Sequence, residues 1–305
     1  MTRWAPHPAT LRQLQYVLAV ATHKSFRRAS EVCAVAQPSL SAQIASLEEQ
    51  LGVKIFERLP RGIVLTEPGF LIVEQARRTL QAADDLVSIA EQTRDPLAVK
   101  LRIGVIPTVA PYLLPELTKA LRARAPKLRV LWEEEKTRTL VERISAGDLD
   151  AGIVAVESGL GDLMYEAVGR DPFFLATARD HRLARSEDPA KLDSLEGETV
   201  LLLDDGHCFR DQALAVCQRA GAEEASMRAT SLSTLAQMVA GGAGITLLPG
   251  ISLRSENRAR TLAVRPFGQR GPARTLALAW RKTQPASEAL KALAFALRSV
   301  LADGL

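Results

Sequence analysis

The sequence predicts an α/β protein in two parts: an N-terminal winged helix-turn-helix with a long helix behind it, then a larger α/β domain. Three observations predict it. The first seventy residues hold three short helical periods followed by strand, turn and strand. One amphipathic run follows that is too long for a small domain. Beyond residue 96 strand and helix patterns alternate. The size agrees, since 305 residues at roughly 150 per domain give about two domains. Hydrophobic residues make up 47% and charged residues 24%, the balance of a globular chain rather than a disordered one. No apolar stretch reaches the ~18 residues of a membrane span. The start, Met1-Thr-Arg-Trp-Ala-Pro-His-Pro, lacks the apolar core of a secretory leader, so a cytoplasmic location with no membrane partner is expected.

Residues 1–10 carry two prolines and no apolar period, and read as a loose tail. From Leu11 to about Thr22, Leu14, Val17, Leu18 and Val20 cluster on one helical side. Ser25 suits the N-cap of a short helix, Phe26 to Val32. Pro38 suits the first turn of a third helix, which runs to Leu51 and stops at Gly52. Residues 54–59 and 63–66, joined by Pro60-Arg-Gly62, form a two-stranded wing. Pro68 and Gly69 open a helix of about Phe70 to Gln92. Its apolar stripe has no surrounding sequence to cover it, and a second copy of the chain would bury it most simply. Arg94-Asp-Pro96 ends it. The expected divisions are therefore 11–67, a linker helix over 68–95, and 96–305. In the last part, strands are expected at 101–106, 128–132, 151–156, 173–176, 199–203, 244–248, 261–264 and 275–280. Helices are expected at 113–125, 139–146, 211–220 and 233–240. Such alternation argues for mostly parallel sheets, in one sheet or two small lobes.

In the third helix Leu40, Ile44, Leu47 and Leu51 make one apolar face, while Gln37, Ser39, Ser41 and Gln43 occupy its N-terminal polar side. Short hydroxyls and amides reach base edges and phosphates without a charge to desolvate. Arg58 and Arg61 sit on the wing, where a basic tip reaches backbone or minor groove. The whole chain carries only +4, a surplus that permits a polyanion partner without demanding one.

Leu14-Gln-Tyr-Val-Leu-Ala-Val, Ser25-Phe-Arg-Arg-Ala-Ser, Gln37-Pro-Ser-Leu-Ser-Ala-Gln-Ile-Ala-Ser-Leu-Glu, Leu51-Gly-Val-Lys-Ile-Phe-Glu-Arg and Leu65-Thr-Glu-Pro-Gly together resemble the N-terminus of LysR-type transcriptional regulators. The resemblance implies a double-stranded DNA operator, contacted by Gln37, Ser39, Ser41, Gln43 and Arg58. It also implies a dimerising linker helix, a dimer or tetramer, RNA polymerase as a further partner, and a two-lobed sensor domain like periplasmic solute-binding proteins.

Three cysteines exclude a disulfide-dense scaffold and cannot alone furnish a four-ligand zinc site; no metal or cofactor is expected. Cys33 reads as a buried packing residue. Cys217 falls on the apolar side of the 211–220 helix. Cys208 sits one turn ahead, between His207 and Arg210, where free N–H groups and nearby cations favour a thiolate. A disulfide needs Cα atoms within about 4.4–6.8 Å, yet nine helical residues rise ~13.5 Å and nine extended ones span up to ~30 Å. Two readings stay open: one packed and one exposed ordinary cysteine, or a pair whose union kinks the chain between them.

Gly206-His-Cys-Phe-Arg-Asp-Gln with Cys217 and Ala220-Gly, and also Ile106-Pro-Thr-Val-Ala-Pro-Tyr-Leu-Leu-Pro, Arg228-Ala-Thr-Ser-Leu-Ser-Thr-Leu and Gly244-Ile-Thr-Leu-Leu-Pro, resemble the peroxide-sensing branch of that family. This implies Cys208 as the peroxidatic and Cys217 as the resolving residue, Thr108, Thr137, His207 and Arg274 around hydrogen peroxide, a cellular thiol reductant, and activation of antioxidant genes. On residues alone, Thr108 and Thr137 would be helix caps, His207 a surface loop residue and Arg274 a surface ion-pair partner. The competing functions are a regulator answering a small organic ligand between the lobes, and a thiol peroxidase. The chain has no Cys-x-x-Cys, and an enzyme would leave the DNA-binding module unexplained.

Overall fold

The computed structural model describes residues 7–59, 62–186, 188–269, 271–284 and 288–304. The chain divides into two compact units, Met1–Ala90 and Glu91–Leu305.

In the first unit α1 (Leu11–His23), α2 (Phe26–Val32) and α3 (Gln37–Leu51) precede the hairpin β1 (Phe56–Leu59) and β2 (Gly62–Leu65), and α4 (Glu67–Arg94) follows. Each helix begins where the sequence supplies a cap. Ser25 Oγ accepts from the Arg28 N–H, and Pro38 occupies the first turn of α3. Gly52 ends α3 at φ +69°, a conformation that suits a residue without Cβ. Thr10 departs from the loose-tail expectation: it closes a capping box with Gln13 and starts α1. Residues 1–6 of that tail lie outside the described residues. Tyr16, Val17, Val20, Leu40, Ile44, Leu47, Ile55 and Phe56 form the core, at ~1.5–3 kcal/mol for each large side chain buried. Cys33 caps α2 and only half-buries, since its side chain packs at the margin of that core. Glu48 joins α3 to the wing, accepting from the backbone N–H groups of Ile55 at 2.9 Å and Phe56 at 3.3 Å and from Lys54 Nζ at 2.7 Å. Thr66 Oγ1 accepts from the Gly69 N–H, so α4 starts three residues before the expected Phe70. Phe70, Leu71, Leu86, Val87 and Ile89 along α4 are exposed.

The second unit runs β3 (Lys100–Val105), α5 (Ala110–Arg124), β4 (Arg129–Glu134), α6 (Thr137–Ala146), β5 (Ala151–Ala155), β6 (Met164–Ala178), β7 (Thr199–Leu203), α7 (Cys208–Arg219), β8 (Glu223–Ala229), α8 (Leu232–Ala240), β9 (Thr246–Pro249), α9 (Leu253–Glu256), β10 (Leu262–Pro266), β11 (Ala273–Trp280) and α10 (Glu288–Gly304). Its buried residues form two cores. One gathers β3, α5, α6, β5 and α10; the other gathers β7, α7, α8 and β9. The long strand β6 serves both. Its first half pairs with β11, and its second half pairs with β9 and β10. These are the two lobes.

The mostly parallel expectation is corrected here. β3 pairs in parallel with β4 and β5, and β7 with β8. Every pairing of β6 and β11 is antiparallel. Strand and helix alternate along the chain, but β6 and β11 pair with strands far along the chain rather than within single strand–helix–strand units, so no one crossover imposes parallel direction on them.

Candidate functional site

The α7 helix begins at Cys208, three residues earlier than expected, with His207 at its N-cap. Cys208 and Cys217 are free thiols and both are buried, so the exposed position expected for one of them is corrected. Nine residues are two and a half turns at ~3.6 residues per turn, so the two side chains leave α7 on opposite sides. The packing agrees: Cys208 belongs to the first lobe's core, with Ile106 and Val109, and Cys217 to the second lobe's core, with Phe209 and Ala213. Burial pushes the Cys217 thiol up to about 12, leaving it protonated and inert while α7 stays folded.

The cations expected beside Cys208 are engaged elsewhere. Arg210 Nε donates to Asp205 Oδ1 at 3.0 Å, and Arg210 Nη1 lies 3.0 Å from Glu224 Oε1. His207 is 6% exposed, which sets aside the surface-loop alternative. Burial, and then the Lys136 ammonium, hold its imidazole below the usual value, with Asp204 pulling the other way. At neutral pH the ring is therefore uncharged. Its Nε2 lies 2.9 Å from Asp204 Oδ1. A carboxylate only accepts, so the proton sits on Nε2 and Nδ1 offers a lone pair. That Nδ1 is buried without a hydrogen-bond partner. Cys208 itself is the first residue of α7, at the positive end of that helix.

Arg274 is fully buried, which corrects the surface-pair alternative. Its Nε donates to Asp171 Oδ2 at 2.9 Å, and the Asp171 Oδ1 accepts from the Ile251 N–H at 3.1 Å. Arg274 Nη1 donates to Thr108 Oγ1 at 2.7 Å and Nη2 to the Thr108 carbonyl at 3.1 Å. The guanidinium also lies 5.5 Å from the Phe209 ring centroid, next to Cys208 in the chain. One buried cation thus ties β11, β6, the β3–α5 loop and α7 together. Thr108 caps nothing: its hydroxyl is occupied by Arg274, and Val109 is the N-cap of α5. Nor is Thr137 a cap. It is the first residue of α6, buried, and its Oγ1 has no hydrogen-bond partner. Thr108 and His207 line one cavity of about 120 Å³, together with Tyr112, Glu134, Ser231 and Glu256. Thr137 and Arg274 are not among its lining residues. Sequence reasoning missed Asp171, the counter-charge that makes a buried Arg274 affordable, and Lys136, whose Nζ donates to the Asp205 carbonyl at 2.7 Å. Lys136 stands directly before Thr137, the one signal that could have marked it.

On the first unit, Ser39 and Gln43 are exposed and Gln37 and Ser41 half-buried, flanking the buried stripe of Leu40, Ile44 and Leu47 on α3. Arg58 is not a free wing tip. Its Nη2 donates to Ser41 Oγ at 2.9 Å and its guanidinium lies 4.6 Å from the Phe26 ring centroid. Arg61 lies outside the described residues.

Residues 11–70 match the model of the bacterial regulatory helix-turn-helix protein, lysR family, and residues 94–302 that of the LysR substrate binding domain. The chain is 41% identical over 289 residues to the hydrogen peroxide-inducible genes activator of Pectobacterium carotovorum subsp. carotovorum, covering 94% of this chain and 95% of that one. It is 40% identical over 290 residues to the DNA-binding transcriptional dual regulator OxyR of Escherichia coli K12, covering 95% of each. Among solved structures, a full-length OxyR variant from Pseudomonas aeruginosa superimposes with a TM-score of 0.79 at 35% identity over 97% of both chains. A peroxide-bound OxyR variant from Corynebacterium glutamicum gives a TM-score of 0.66 at 32% identity, covering 98% of this chain and 96% of that one.

Proposed function

The chain belongs to the LysR family of bacterial transcription regulators, in its OxyR branch, and on that premise we propose that it senses hydrogen peroxide through Cys208 and Cys217 and activates antioxidant-defence genes. The observation that carries the reading is a pair of buried polar atoms without partners, Thr137 Oγ1 and His207 Nδ1, in the two segments that meet at the start of α7. A buried polar group left unpaired costs free energy. A hydroxyl that donates or accepts and a nitrogen that only accepts together suit a small molecule with both a donor and an acceptor, as peroxide is. Thr108 and His207 add a second polar pair across a cavity of about 120 Å³. Pockets for organic ligands run to ~300–1,000 Å³, which disfavours an organic effector in this cleft.

The Cys208 thiolate attacks one peroxide oxygen. The O–O bond breaks, sulfur is oxidised to sulfenic acid, and the departing hydroxide takes up the thiol's proton as water. Cys217 then attacks that sulfur, forming the disulfide and releasing a second water. A cellular dithiol reductant reverses it. The two sulfurs leave α7 on opposite sides and reach separate cores, so the bond requires α7 to unwind and both lobes to repack. One peroxide per cycle is compatible with a sensor, and the turnover rate with a thiol reductant is what separates it from a thiol peroxidase.

Gln37, Ser39, Ser41, Gln43 and Arg58 contact the operator, Arg58 also bracing α3 from the wing, and Arg61 is assigned to the DNA backbone. The exposed apolar residues of α4 pair with a second copy, giving a dimer or tetramer whose half-site spacing follows the sensor domain. RNA polymerase is the partner of the activating form. No helix among the described residues is long and apolar enough to cross a membrane; a regulator of this kind works in the cytoplasm. The test is Cys208→Ser in cells lacking the native gene. Loss of peroxide-driven transcription with operator binding retained supports the reading, and a full peroxide response overturns it.

A further inference from the structure

Lys136 reaches from the start of α6 in the first lobe to the turn that precedes α7 in the second. Its Nζ donates to the Asp205 carbonyl at 2.7 Å and lies 3.3 Å from Asp204 Oδ2. Its stem rests on Gly206, which adopts φ +89°; a Cβ built there would meet Lys136 Cδ at 3.0 Å. The turn is held from its other side by Arg210 and Arg228, which bond the two Asp205 carboxylate oxygens at 3.0 and 2.7 Å. Asp204, the ion-pair partner of Lys136, is the residue that accepts the hydrogen bond from the His207 Nε2–H. Lys136 thus stands one residue from the orphaned Thr137 hydroxyl and, through Asp204, one side chain from the orphaned His207 nitrogen.

We propose that Lys136 is a positioning residue of the peroxide reaction, bridging the lobes to fix the turn that presents His207 and Cys208 and, with Asp204, deciding which His207 nitrogen is offered to peroxide. The inference rests on the reading of Cys208 as the sensing residue. Its logic is a three-part chain. Asp204 alone would draw a second proton onto the ring, turning Nδ1 from an acceptor into a donor. Lys136 balances that carboxylate. Two further carboxylates, Glu134 from the end of β4 and Glu256 from α9, line the same cavity as His207, with the Tyr112 hydroxyl of α5 bonded to Glu256. Lys136 therefore works against an acidic surround, and its removal is felt at the ring. Lys136 also ties the turn in its reduced arrangement, so the bond to the Asp205 carbonyl must break when α7 unwinds.

The experiment uses the full-length reduced chain with ¹³C-labelled histidine, the His207 ring signal being assigned by its loss in His207→Asn. Lys136→Met is expected to move the His207 titration to higher pH by about half a unit or more, and Asp204→Asn to move it lower. A role limited to holding the fold does not produce opposite shifts. The rate constant for Cys208 oxidation by peroxide, read by mass spectrometry of the trapped sulfenic acid, is expected to fall ~3-fold or more on the acid side in Lys136→Met. It should recover as pH rises and be rescued by Lys136→Arg. Shifts of the same sign in both variants, no shift in either, or a rate loss equal at every pH and unrescued by arginine would overturn the proposal. Failure of the parent chain to oxidise at Cys208 sinks the sensing reading instead, and leaves the ring titration as an independent reading of Lys136.

Discussion

Replacing Arg274 with methionine removes a cation that is 0% exposed from an aspartate that is also 0% exposed. The methionine keeps most of the volume, so little cavity forms, and the loss is electrostatic. Asp171 keeps one bond, from the Ile251 N–H, and is otherwise stranded, while the Thr108 hydroxyl and carbonyl lose their donors. Breaking a buried pair from one side costs ~3–5 kcal/mol, because the remaining charge stays behind. For a domain of this size that lowers the thermal midpoint by ~6–20 °C. The assay is denaturant unfolding of the reduced chain with two probes, tryptophan fluorescence and far-UV dichroism. Adding Asp171→Leu to Arg274→Met removes the stranded charge and is expected to recover about half of the loss or more. A single-variant loss below ~1 kcal/mol, or a double variant that loses the sum of the two singles, would refute the claim that this ion pair organises the site.

Other expectations follow from separate observations. Arg58→Ala removes one cation from the wing and the brace on Ser41, so operator affinity falls and the slope of log affinity against log salt shrinks by about 1, measured by fluorescence anisotropy across a salt series. Burial opposes ionisation of Glu48, but the bonds from Lys54, Ile55 and Phe56 outweigh it and hold its carboxyl below the usual 4.5. A carboxyl depressed in the folded state stabilises at pH above its ordinary value and loses that contribution as pH falls through the folded one. Glu48→Ala should therefore destabilise the first unit by ~1–3 kcal/mol near neutrality, and the gap from the parent should narrow as pH falls through the depressed carboxyl value. In the reduced chain at about pH 8, Cys217 should alkylate far more slowly than Cys33, because its thiol is pushed up to about 12 by burial; comparable rates in a time course would contradict its packing.

Much of the first unit was legible because its signals are local. Leu40, Ile44 and Leu47 mark the inner face of α3, Ser25 and Gly52 mark ends, and the wing strands flank a Pro-Arg-Gly turn. The second unit hides more. Strand β6 contains Gly169, Asp171 and Pro172, which read as a turn, so only its far end was expected. Strand β8 exposes Glu223, Glu224 and Arg228, and charge masked its alternation. Helix α10 was not foreseen at all, although Leu290, Leu293, Leu297 and Leu301 bury at helical spacing. The site divides the same way. Cys208, Cys217 and His207 stand in one short segment, and the chemistry of that segment is visible. Arg274 and Asp171 are 103 residues apart, and no local pattern announces that a lone arginine in a strand is buried. The expectation of cations at the Cys208 sulfur failed for a related reason: sequence shows that Arg210 is near, not that Asp205 and Glu224 have claimed it.

The central claim is that the bond between Cys208 and Cys217 cannot form without loss of α7. Hydrogen exchange followed by mass spectrometry on the full-length chain, before and after one equivalent of peroxide, tests it together with a search for the cross-linked peptide. The account predicts a Cys208–Cys217 peptide in the oxidised sample alone and a collapse of amide protection across residues 208–219. A cross-link formed with that protection intact, or oxidation that leaves the two thiols unlinked, would contradict it.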